Sequence, residues 1–90
     1  MPVFAIVALS HPANALRGAV EREFAGKFFV VSADHWHVNA TGTAKEIGDK
    51  IGVIGGGLEQ CIIYNVAGYY GLAPNPTWEW LKANWSASGG

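Results

Sequence analysis

The chain has 90 residues, of which 50% are hydrophobic and only 14% charged, and its formal net charge is −1. It is too apolar for a disordered chain, and its six Lys and Arg are too few and too scattered for a nucleic-acid binder that neutralises phosphates. A single cysteine, Cys61, excludes an intramolecular disulfide, and no stretch reaches the ~18 uninterrupted apolar residues of a membrane span.

Val3 to Leu9 is a continuous apolar run ended by Ser10-His11-Pro12, the pattern of a strand buried on both faces. Pro2 to Leu9 lacks the basic start and cleavage region of a signal peptide, so a soluble, cytoplasmic protein is the expectation. Asn14 or Ser10 can cap a helix that runs to about Phe24. Leu16, Val20 and Phe24 recur every fourth residue there, Arg17, Glu21, Arg22 and Glu23 take the other sides, and Gly26 stops it.

Within Lys27–Asn39, Phe28–Val31 and Trp36–Val38 suit strands, and Ser32-Ala33-Asp34 between them has turn chemistry. This predicts a hairpin, with one long bent strand as the alternative. Thr43-Ala44-Lys45-Glu46 has capping-box spacing. The helix it opens carries Ala44, Ile47 and Ile51 on one face and stops at Gly52; Gly48 weakens it by roughly 1 kcal/mol relative to Ala. Gly55-Gly56-Gly57 is a connector without the Gly-Lys-Ser/Thr ending of a phosphate loop. Gln60–Ala67 is the last strand, and Asn75-Pro76 begins a final helix.

The order strand, helix, strand, strand, helix, strand, helix predicts an α+β sandwich. Its plan is a ferredoxin-like βαββαβ with an additional C-terminal helix. A three-stranded βαβαβα layer is the alternative if Lys27–Asn39 is one strand. Residues 1–86 form one small α/β domain and 87–90 a flexible tail. Trp36, Val38, Ile62 and Val66 are placed toward the helices. His35, His37, Asn39 and Asn65 then share a second face that the C-terminal helix or another subunit must cover.

His35 and His37, two apart on a strand, point the same way and make half of a zinc site. A third ligand would have to come from His11, Asp34 or Cys61. No cofactor and no bound metal are implied. The Ala40-Thr41-Gly42-Thr43 turn exposes helix-end amides and the hydroxyls of Thr41 and Thr43 near Lys45, the chemistry of an anion site. Three of the four tryptophans, Trp78, Trp80 and Trp85, fall within eight residues of the last helix. Trp78, Leu81 and Trp85 share a face toward the sheet, which leaves Trp80 as an outward interface anchor. Tyr69 and Tyr70 extend that patch or stack a planar ligand.

These features predict a non-enzymatic, homo-oligomeric binding module, a dimer or higher. It would hold a small anionic or nucleotide-like ligand, or a protein partner, through its aromatic C-terminal region, with no nucleic acid and no membrane as partner. The alternative is a small metal- or histidine-dependent enzyme that uses His35 and His37.

Overall fold

A computed structural model describes residues 3–55, 57–68, 71 and 75–84. In chain order these form β1 (Val3–Ala8), α1 (Asn14–Glu23), β2 (Phe28–Ser32), β3 (His35–Asn39), α2 (Ala44–Ile51), β4 (Cys61–Asn65) and α3 (Asn75–Asn84), with one 3-10 turn at Val53–Gly55. Tyr69, Tyr70, Trp85 and the 87–90 tail lie outside the described residues. Among the described residues no helix is long and apolar enough to cross a membrane.

The four strands form one sheet in the order β2-β3-β1-β4, and every neighbouring pair is antiparallel. β1 and β2 therefore run parallel on either side of β3, joined through α1. β3 and β4 run parallel on either side of β1, joined through α2. Lys27–Asn39 is a hairpin, so the three-stranded alternative is set aside. The two halves pair antiparallel, with a bulge between Val30 and Ser32, and the Asp34 N–H donates to Ser32 Oγ in the turn.

α1 and α2 pack on one sheet face, where Leu16, Val20, Phe24, Ile47 and Ile51 close over Phe4, Ile6, Trp36 and Val38. α3 takes the other face. This double cover explains the unbroken apolar run of β1. In an antiparallel sheet with one wet face the strand would alternate, but here Val3 and Ala5 are buried along with Phe4 and Ile6.

α2 begins with the expected capping box: Glu46 N–H donates to Thr43 Oγ1 at 3.2 Å and Thr43 N–H to Glu46 Oε1 at 3.0 Å. It ends at Gly52, whose φ of +89° lies in the left-handed region that favours glycine. α1 departs from expectation, because neither Ser10 nor Asn14 caps it. Its N-cap residue is Ala13, and the Glu59 carboxylate accepts from the N–H groups of Leu16 at 2.8 Å and Ala15 at 3.3 Å. Those bonds stabilise the charged form of Glu59 and lower its pKa.

The strand faces are also partly reversed. The register sets Ile63, not Ile62, in line with Ile6 and Trp36, while Ile62 lies in line with Val7 and His35. Asn65 pairs with Phe4 on the helix side, and Val66 lies just past the strand. Ile62 and Ile63 are adjacent and both apolar, so the β4 pattern does not tell its two faces apart.

Candidate functional site

β3 carries most of the buried polar chemistry. Its alternation sends Trp36 and Val38 into the core under α1 and α2 and leaves His35, His37 and Asn39 in a row on the other face. His37 is only 9% exposed. The His35 and His37 rings meet edge to face with centroids 5.1 Å apart, and the Trp80 ring of α3 lies 6.0 Å from His37 at a 31° tilt. At the far end of the row Asn39 Nδ2 donates to Asn84 Oδ1 at 2.8 Å, and Asn84 Nδ2 donates to the Trp80 carbonyl at 2.9 Å.

The stripe of α3 that faces the sheet is therefore Thr77, Trp80, Leu81 and Asn84: Thr77 and Leu81 are buried, and Trp80 also lies 5.9 Å from the Phe29 ring. Of the expected sheet-facing set, Leu81 belongs to this stripe, Trp78 does not, and Trp85 lies outside the described residues. Trp80, read from the sequence as pointing outward, lies over its own sheet. The polar Asn84 position suits the inner side because the sheet meets it with Asn39. Trp78 is half-buried.

Both imidazoles are neutral at pH 7. Burial first, then the neighbouring His35 charge, lowers His37 to about 4, and burial lowers His35. A neutral imidazole has one N–H and one lone pair, yet His35 Nε2 and His37 Nδ1 are buried with no hydrogen-bond partner among the described residues. They are two potential metal ligands, but among the described residues no third His, Cys, Asp or Glu joins them. His11 Nδ1 is instead within 2.9 Å of Asp34 Oδ1 at the exposed end of the sheet. Cys61 is in register with Ala8, on the same side of the sheet as Ile6, packed against the core, where burial raises its thiol pKa. The pair by itself offers two lone pairs and no catalytic third group.

The expected anion turn is divided by the structure. The Thr43 hydroxyl is occupied by the Glu46 N–H. Lys45 Nζ donates to Asp49 Oδ2 at 2.9 Å, a bond that raises its pKa. Thr41 faces elsewhere. It lines a groove of about 480 Å³ between α1 and α2 with Arg22, Lys27 and Lys50. Sequence patterns do not reveal those three cations as a group because each belongs to a different segment. The packing of the two helices that brings them together is not a local pattern.

A second feature hidden in the sequence is the outer edge of the sheet. On β4, Ile62 is 41% and Tyr64 53% exposed, on the face opposite α1 and α2. A shallow apolar groove of about 400 Å³ runs along the same strand against α2, lined by Ala44, Gly48, Val53, Cys61 and Ile63 among others. No known family matches the chain, and no curated protein is significantly similar to it.

Proposed function

We propose that this chain is a non-enzymatic, homo-oligomeric binding module on a ferredoxin-like split βαβ plan, extended by α3. The plan is supported by two interleaved parallel crossovers within one antiparallel sheet and by both crossover helices lying on one face. Assembly is supported chiefly by β4. It is the last strand of the sheet, and no charged residue and no Pro in Gln60–Asn65 shields its edge.

The sequence of β4 is self-complementary in register. In an antiparallel pair of β4 strands centred on Ile63, each Ile62 stands opposite the partner strand's copy of Tyr64. The two most exposed apolar residues of the strand then cover one another across a two-fold axis. Such a contact closes on itself as a dimer. α3, with Trp80 laid on Phe29 and His37, is the internal cover of the other half of that face. The ligand we propose for the module is a small anionic or nucleotide-like molecule, a reading supported by the cations that line the α1–α2 groove, with a protein partner as the alternative.

Multi-angle light scattering across a wide dilution series tests the assembly. A dimer mass is expected, shifting to a monomer in Ile62→Lys with unchanged circular dichroism. A monomer at every concentration would overturn the proposal.

A further inference from the structure

Three of the six Lys and Arg residues in a chain of net charge −1 line one groove between α1 and α2. Arg22 belongs to the last turn of α1, Lys50 to the last turn of α2, and Lys27 to the loop into β2. Helix C-termini favour cations, which accounts for Arg22 and Lys50 at those places. Lys27 lies beyond either helix.

Two carboxylates share the groove, one paired with a cation and the other bonded to a neutral amide. Glu23 Oε2 accepts from Arg22 Nε at 3.1 Å, and Glu46 Oε1 accepts from the Thr43 N–H at 3.0 Å in the capping box. Among the described residues Lys27 and Lys50 enter no ion pair, and the Lys50 ammonium stands 5.3 Å from the Phe24 ring centroid. The groove thus sets three cations against two carboxylates, a net formal excess of one positive charge, with the Lys27 and Lys50 ammonium groups outside any ion pair and the Thr41 hydroxyl beside the nearly buried Phe24 and Ile47. At about 480 Å³ it falls within the range of small-molecule sites.

We infer that this groove is the anion site of the module, and that its ligand is a small molecule bearing a phosphate or diphosphate. Lys27 and Lys50 face a dianionic phosphate as point charges, Thr41 donates a hydrogen bond, and the organic part lies against Phe24 and Ile47. This rests on reading the chain as a binding module but not on its assembly, since no groove residue belongs to β4.

The probe is sodium pyrophosphate, titrated into ¹⁵N-labelled full-length protein at constant ionic strength, with adenosine monophosphate as a second arm and sodium chloride as control. Saturable shifts at Thr41 and Ile47 are expected with both phosphates. Affinity should fall about tenfold in Lys27→Gln and again in Lys50→Gln, as loss of a charge-assisted contact implies, and stay unchanged in Lys45→Gln. Non-saturating shifts, shifts matched by chloride, or full affinity in the Lys27→Gln/Lys50→Gln double variant would each overturn the inference. If that happens while the light-scattering mass remains dimeric, the groove fails and the assembly stands. A monomer that still binds pyrophosphate would mean the opposite: the assembly fails and the groove stands.

Discussion

Acidification should loosen this fold through His37. The imidazole is buried between β3 and Trp80, and burial together with His35 lowers its pKa from 6.5 to about 4. Among the described residues nothing nearby compensates an imidazolium: β1 and β2 bring no titratable group to that face, β4 brings the exposed Tyr64, and Glu79 and Lys82 of α3 are exposed. Between those two pKa values the unfolded chain takes up a proton that the folded chain refuses. Stability therefore rises with pH across the window; the contribution is complete above about 6.5 and is lost as pH falls toward about 4. A fall of about 2.5 at 1.36 kcal/mol per pH unit caps the loss at about 3 kcal/mol. Water reaches the half-buried His35 beside it, and this screening reduces the expected loss to about 1–2 kcal/mol. His35 shifts in the same direction and adds to it. The assay is urea unfolding at several pH values from about 7.5 to about 4.5, comparing the parent with His37→Leu, which keeps the volume and cannot titrate. His37→Gln serves if the leucine variant misfolds. The stability of the parent relative to the variant should fall as pH falls. Parallel curves across the whole window would refute the reasoning.

Two other perturbations probe the two layers separately. Gly48→Ala should raise stability by up to about 1 kcal/mol in thermal melts, because helix propensity favours Ala. The added Cβ would stand 3.4 Å from Ile63 Cδ1, an ordinary contact with a flexible side-chain end, and a net loss would show that α2 and β4 have no slack. Trp80→Ala should cost about 2 kcal/mol, less than a fully buried tryptophan, because Trp80 is half-buried. It should also move the His37 titration, followed by NMR, back toward 6.5, and an unmoved titration would mean that Trp80 is not what dries the imidazole.

What could be read from the sequence was local. The Thr43–Glu46 box, the Ser32-Ala33-Asp34 turn and the stop at Gly52 each depend on residues within four positions of one another, and each stands where its chemistry put it. The cap of α1 depends on Glu59, 43 positions from the amide it holds, and no helix signal near Asn14 could announce it. β4 offers Ile62 and Ile63 side by side, so its orientation is decided by pairing with β1 and not by its own alternation. α3 is ambiguous for a related reason. With aromatic rings on several sides, its inner stripe is chosen by what the sheet presents, and the polar row of β3 meets Trp80 and Asn84.

The candidate sites follow the same division. His35 and His37 were visible because a strand guarantees that residues two apart share a face, but their lack of a third partner depends on where His11, Asp34 and Cys61 fold. The two faces of the sheet are held on different terms. Under α1 and α2 the contact is almost wholly apolar, with Phe4, Ile6, Leu16, Val20, Trp36 and Val38 inaccessible to water. Under α3, Leu81 and Val3 share the layer with His37 and Thr77, and two imidazole nitrogens there have no partner. An unpaired buried polar atom costs about 1–3 kcal/mol; among the described residues the α3 face has three with Asn39 Oδ1, against the one Trp36 Nε1 under α1 and α2, so the α3 layer is held with less margin than the helical one. The Asn39–Asn84 bond offsets part of that cost and fixes where α3 lies. A polar seam of this kind makes the position of a helix specific while leaving its attachment weak, which is why the acid sensitivity argued for His37 belongs to this face and not to the core.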